Sequence, residues 1–128
     1  MKNVIASFLL STLLVGCATA KFDSNEYDSF SQVEALSRVA VEHCNNFEME
    51  SVFVEALRID MEHLVSYTKY LPHDKDTHNI AIVLKDQMVE MEKRYKADTP
   101  SEYYCQSKLK IFNDGVNRAM KAMIKKVK

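Results

Sequence analysis

Residues 99–127 read TPSEYYCQSKLKIFNDGVNRAMKAMIKKV and contain the clearest helix start in the chain. Thr99 is a suitable capping residue, Pro100 fits the first helical position, and Glu102 completes a capping box. Apolar residues then recur at spacings of three and four, as one face of a helix requires. They are Cys105, Leu109, Phe112, Val116, Ala119, Met123 and Val127. Because this stripe stays in phase through Gly115, we expect a single helix here.

The same spacing predicts three earlier helices. We expect the first to begin at Ser31, where Glu34 completes a capping box. Asn45 with Glu48 is the expected cap of the second helix, which Leu71-Pro72 ends because the residue before proline resists helical geometry. The three stripes are Val33, Leu36, Ala40, Cys44 and Phe47; Phe53, Leu57, Met61, Leu64 and Leu71; and Ala81, Leu84, Met88, Met91 and Tyr95.

Four amphipathic helices joined by short links predict an all-α, up-down-up-down four-helix bundle. The chain has two glycines and two prolines, too few for a turn-rich β-sandwich. Cys44 lies near the end of the first helix and Cys105 near the start of the fourth, at the same end of such a bundle. A disulfide between them would close a loop of about 60 residues and stabilise the fold by about 4 kcal/mol. Two free buried thiols are the alternative.

The N-terminus has the pattern of an export signal. Lys2 precedes an apolar run from Val4 to Val15. Leu14-Val15-Gly16-Cys17 resembles a bacterial lipobox, which implies that Cys17 is acylated and that residues 1–16 are removed. The expected organisation is a signal peptide (1–16), a lipidated flexible tether (17–30) and a bundle domain (31–128). The alternatives are an ordinary signal peptide or a short core segment.

Ala18 follows the expected lipid site. Aspartate at that position is the usual inner-membrane retention signal in enterobacteria. Its absence favours the outer membrane, with the protein lipid-anchored on the periplasmic face.

The sequence predicts a protein that is not an enzyme. Both cysteines of the bundle are expected to form the disulfide, so no activated thiol remains for nucleophilic catalysis. A cluster in the link between the second and third helices is more typical of a solvated loop than of a metal site: His73, Asp74, Asp76 and His78. We therefore expect no catalytic residue, metal, cofactor, small-molecule substrate or nucleic-acid partner.

Charge is unevenly distributed along the chain. Residues 22–68 carry ten acidic and two basic side chains, whereas residues 107–128 carry seven basic and one acidic. Solvated helix faces explain both runs, and cations also suit a helix C-terminus. Contact between the basic end and anionic lipid or an acidic partner is the alternative.

The second helix is apolar beyond its main stripe. Val52, Ile59, His63 and Tyr70 form a second line along it, and we predict that this line binds a partner. A groove that accepts an amphipathic helix is one interpretation. The other is that a bundle helix needs a wide apolar face because it contacts two neighbours. Methionines throughout the bundle would suit an adaptable groove, but they are also ordinary core residues.

Two segments around the cysteines resemble a known family. Val41-Glu42-His43-Cys44-Asn45 and the run from Lys96 to Cys105 resemble the corresponding parts of type II secretion system pilotins of the PulS/OutS type. The resemblance covers the two ends of the domain. It implies a non-enzymatic escort that binds the C-terminal helix of a secretin subunit and, through the lipid on Cys17, carries it to the outer membrane.

Two other functions fit a small helical lipoprotein. One is an immunity or inhibitor lipoprotein that blocks a toxin or cell-wall hydrolase in the periplasm. Such a protein is expected to present a fixed, often charged surface rather than an apolar groove. The other is a structural accessory lipoprotein of the envelope.

Overall fold

A computed structural model describes residues 22–71 and 75–127. They form four helices: α1 (Ser24–Glu42), α2 (Phe47–Lys69), α3 (Lys75–Ala97) and α4 (Glu102–Ile124), the last followed by a 3₁₀ turn (Lys125–Val127). This part of the chain contains no strand. The all-α prediction is confirmed, including the uninterrupted fourth helix through Gly115.

Contacts between the helices set an up-down-up-down order. The Tyr67 hydroxyl near the end of α2 donates to the Asp23 carboxylate at the start of α1. Thr68 near the end of α2 and His78 near the start of α3 form a hydrogen bond, with 2.9 Å between Oγ1 and Nδ1. Extensive contact between α1 and α4 completes the bundle.

The predicted disulfide is confirmed. Cys44 and Cys105 are bonded, with their Cα atoms 5.6 Å apart, and both residues are buried. We name this end of the bundle the disulfide end. The other end, where α1 begins, α2 ends, α3 begins and α4 ends, we name the Ser24 end.

The apolar stripes meet in one continuous core. Every predicted stripe residue of α3 is buried, and so are all those of α4 up to Met123. Leu57, Met61 and Leu64 are the buried part of the α2 stripe, while Phe53 packs against the core from a half-buried position. The period of three and four residues therefore predicts which faces are buried.

The first helix begins at Ser24 and not at Ser31, so the predicted start is wrong. The Asp23 carboxylate caps this earlier turn by accepting the Glu26 N–H at 2.8 Å. Phe30, which the tether prediction placed outside the domain, is fully buried. Residues 24–30 of the predicted tether therefore belong to α1, whereas the signal peptide and Cys17 lie outside the described residues.

Two other caps differ from prediction by one or two residues. Asn46, and not Asn45, caps α2 by accepting the Met49 N–H. Ser101, and not Thr99, caps α4 by accepting the Tyr104 N–H at 3.1 Å. In both places the capping side chain belongs to the residue directly before the first helical one, where an oxygen can reach an unpaired N–H of the first turn.

None of the helices within residues 22–71 and 75–127 combines the length and the hydropathy needed to cross a membrane.

Candidate functional site

The bundle is open between its third and fourth helices. The contact between α3 and α4 is the least extensive of the four contacts between neighbouring helices. Two adjoining cavities of about 390 Å³ and 350 Å³ lie along this seam, and they share Val83 and Gln87. We name the pair of cavities the α3–α4 groove.

Apolar side chains form most of the groove. Leu84, Met88 and Met91 of α3 lie at its floor and are buried. Val83 on the α3 side and Ile111 on the α4 side are 56% and 57% exposed. Exposed branched aliphatic side chains above a buried apolar floor are the usual make-up of a surface that another apolar element covers.

Gly115 leaves room for a side chain of α3 at one point of the groove. A Cβ atom at this position would lie 2.8 Å from Cδ2 of Leu84, closer than real contacts allow. The absence of a side chain at Gly115 therefore lets Leu84 lie against the backbone of α4 and close the bottom of the groove.

Charged side chains line both rims of the groove. Asp86 and Glu90 lie on the α3 side, where each is paired with a lysine of the same helix, and Lys108 and Arg118 lie on the α4 side. Oε1 of Gln87 accepts no hydrogen bond, but it is buried beneath the surface of the groove. The groove therefore combines an apolar floor with a basic rim on the α4 side.

Sequence reasoning missed this groove and placed the partner-binding line on α2. The side chains of that line, Val52, Ile59, His63 and Tyr70, are exposed, as a contact surface requires. His63 also lines a cavity of about 340 Å³ between α1 and α2, together with Asp60 and Tyr67. Partner binding by the α2 line remains a prediction.

Glu50 is a second feature that sequence reasoning missed. Its side chain is completely buried at the disulfide end, and neither carboxylate oxygen has a hydrogen-bond partner. Burial raises the pKa of Glu50 to about 7, although the nearby His43 opposes the shift. Glu50 is therefore largely protonated in mildly acidic solution.

Tyr95 lies near the same buried carboxyl. Burial raises the pKa of its phenol to about 12, with further contributions from Glu50 and Tyr104. The ring of Phe47 stacks on that of Tyr95 at 5.5 Å between centroids. Tyr95 is thus a neutral part of the core and not a proton donor or acceptor near neutral pH.

One group of described residues has the donor types and spacing of a metal site: Cys44, Glu50 and Cys105, whose ligand atoms lie within 4.8 Å of one another. Both sulfur atoms are already joined in the disulfide, so the group offers no thiolate. In the cluster predicted between the second and third helices, His73 and Asp74 lie outside the described residues. His78 is engaged by Thr68.

Comparisons with protein-family models, with curated proteins and with solved structures find no match to this chain.

Proposed function

We propose that this protein is a lipoprotein of the pilotin kind, acylated at Cys17 and not an enzyme. In this role it binds the C-terminal helix of a type II secretion secretin and escorts it to the outer membrane. The α3–α4 groove is the observation that carries the proposal, because an escort of this kind needs an apolar surface that is left uncovered until its cargo arrives.

The dimensions of the groove suit a helix. Its lining residues on α3 extend from Asn79 to Met91. At 1.5 Å per residue this stretch is about 18 Å long, so it accommodates about three turns of a partner helix. Three turns present anchors at i, i+3, i+4 and i+7, which is the pattern of helix-in-groove recognition.

The basic rim favours an orientation for that helix. An acidic side chain of the partner would face Lys108 and Arg118, whereas lysines of α3 already pair with the acidic side chains of the other rim. The proposed occupant is therefore an amphipathic helix with an acidic side chain at the edge of its apolar face.

Titration with a synthetic peptide tests the proposal. The peptide carries the C-terminal segment of the secretin encoded in the same genome, and isothermal calorimetry measures its affinity for the protein. We expect saturable binding of one peptide per chain. The substitutions Val83→Asp and Ile111→Asp, which place charge on the two walls of the groove, should each weaken binding at least tenfold.

Val52→Asp is the matched control. Val52 is 67% exposed on the α2 line, so the substitution introduces the same charge on the surface that sequence reasoning favoured. If Val52→Asp abolishes binding and the groove variants do not, the cargo binds α2 and the groove assignment is wrong. No binding to any variant or to the unmodified protein would leave the pilotin role without support and favour the inhibitor alternative.

A second experiment tests the role of the lipid. In cells, Cys17→Ser removes the acylation site, and we expect the secretin to fall markedly in the outer membrane because its carrier is no longer sorted there. Full secretin delivery by Cys17→Ser would contradict the escort role even if the peptide binds.

A further inference from the structure

The Ser24 end of the bundle carries a basic stripe. The last turns of α4 and the following 3₁₀ turn hold Arg118, Lys121, Lys125 and Lys126, and residues 115–127 contain no acidic side chain. Lys121 and Lys125 are exposed. Much of the basic charge of residues 107–128 therefore lies in this stripe.

Exposed apolar side chains accompany the basic stripe. Ile124 and Val127 are 49% and 64% exposed within it, and Tyr70, at the end of α2, is 80% exposed. Lys69 adjoins Tyr70 at the same end. Lysines beside exposed aliphatic and tyrosine side chains are typical of surfaces that rest at a membrane interface.

The antiparallel register places this stripe beside the start of α1. Cys44, just after α1, is bonded to Cys105 of α4, and the Asn113 amide donates to the Ser37 hydroxyl at 2.8 Å. Each step forward along α4 therefore corresponds to a step backward along α1. Continued at the same rate, this register brings Lys125 to the level of Ser24.

The proposed lipid site is close to that level in sequence. Cys17 precedes Phe22, the first described residue, by five positions. Five residues span at most about 17 Å even when fully extended. A lipid on Cys17 would therefore hold the Ser24 end, and not the disulfide end, against the membrane.

We propose that the Ser24 end binds anionic phospholipid head groups through Lys121 and Lys125, with Ile124 and Val127 at the interface. This inference rests on the lipidation of Cys17 in the proposed function. A lipid chain combined with a basic patch anchors a protein more firmly than either alone. The acidic side chains described at this end, Asp23, Glu26, Asp28 and Asp76, belong to the start of α1 and to α3, so the contact is formed by the α4 side.

Hydrogen exchange of the acylated protein tests the contact. The protein is reconstituted into vesicles of phosphatidylcholine alone and into vesicles of equal parts phosphatidylcholine and phosphatidylglycerol. Lipid anchoring is common to both, so a difference reports the head groups. We expect backbone amides of residues 118–127 to exchange about fivefold more slowly on the anionic vesicles. Salt at about 1 M should remove the difference, because the Debye length falls to about 3 Å.

Charge reversal on the same helix supplies the control. Lys121→Glu with Lys125→Glu should abolish the slowing, while Lys108→Glu with Lys110→Glu should preserve it, although both pairs change the net charge equally. Equal exchange on the two kinds of vesicle would overturn the proposal, as would loss of the slowing in both double variants. Binding of Lys121 and Lys125 to an acidic protein instead would leave exchange unchanged on protein-free vesicles.

The outcome is separable from that of the proposed function. Intact mass shows whether Cys17 carries acyl chains, and secretin-peptide binding at the α3–α4 groove does not involve residues 121–127. A protein that binds the peptide but shows no protection on anionic lipid would retain its proposed cargo and lose this membrane contact.

Discussion

A buried carboxyl group governs the expected pH response of the fold. Glu50 is fully buried without a hydrogen-bond partner, and burial raises its pKa from 4.5 to about 7. The unfolded chain releases this proton at lower pH than the folded chain does. The contribution of Glu50 to the unfolding free energy is therefore greatest below pH 4.5, and it is lost as the pH rises to about 7.

Glu50→Gln tests this effect. A shift of this size corresponds to about 3 kcal/mol of unfolding free energy, so the variant should exceed the unmodified protein by up to that amount at pH 8. At pH 5 the two should differ little. Urea denaturation at both pH values measures the difference. Glu55→Gln, at an exposed position of the same helix, should show no such pH-dependent gain. An equal gain at both pH values would contradict the assignment to ionisation.

A polar residue in the α1–α4 contact gives a second prediction. The Nδ2 group of Asn113 donates to the Ser37 hydroxyl and to the main-chain carbonyl of Glu34, and Asn117 donates in turn to Asn113 Oδ1. Asn113→Ala removes these bonds, although Ser37 still donates to the Glu34 carbonyl and Asn117 still donates to the main-chain carbonyl of residue 113. We expect a loss of about 0.5–1.5 kcal/mol in unfolding free energy. Asn79→Ala, at an exposed position, is the control. An equal loss of unfolding free energy in this variant would contradict a stabilising role of the Asn113 bonds.

At the scale of one element, the start of α1 distinguishes the two candidate caps. Asp23 accepts the Glu26 N–H and the Tyr67 hydroxyl, so Asp23→Ala should destabilise the protein by about 1–2 kcal/mol. Ser31 lies inside the helix, and Ser31→Ala should leave stability nearly unchanged or raise it slightly because alanine favours helix interiors. Thermal denaturation compares the two. A larger loss in Ser31→Ala would restore the later helix start.

The elements show what periodicity can and cannot predict. It identified the buried faces of α3 and α4 because those stripes repeat over about four and about six turns. It could not place the start of α1, since Ser31-x-x-Glu34 has the form of a capping box although it lies within a helix. Asp23-x-x-Glu26 has the same form. The bonds that Asp23 accepts from the Glu26 N–H and from Tyr67, which is distant in sequence, fix the earlier start.

The same limit explains why sequence reasoning missed the α3–α4 groove. A helical wheel shows the surplus apolar residues of α2 because they lie on one helix. The α3–α4 groove depends on how far two helices stand apart, which the pattern of either helix alone does not contain. Val83 and Ile111 lie outside the predicted stripes, and an exposed apolar residue on each of two neighbouring helices was the available signal.

At the scale of the whole molecule, the disulfide should contribute most of its stabilisation through the length of chain it closes. Cys44 and Cys105 are 61 residues apart, for which the chain-entropy model gives about 4 kcal/mol. Reduction, or the double substitution Cys44→Ala with Cys105→Ala, should lower the unfolding free energy by about that amount. Urea denaturation with and without a thiol reductant measures it. An unchanged midpoint would mean that the reduced chain is equally constrained.

The unequal contacts between helices also divide the bundle into two pairs of helices. The disulfide and the Asn113 bonds tie α1 to α4, and the most extensive helix contact, with the Arg58–Glu92 ion pair, joins α2 to α3. These two pairs contact each other less extensively at α1–α2 and least at α3–α4. The groove therefore lies along the side where the two halves of the bundle hold each other least. In the proposed escort role, a change in the separation of the halves would alter the width of the groove without changing the packing inside either half.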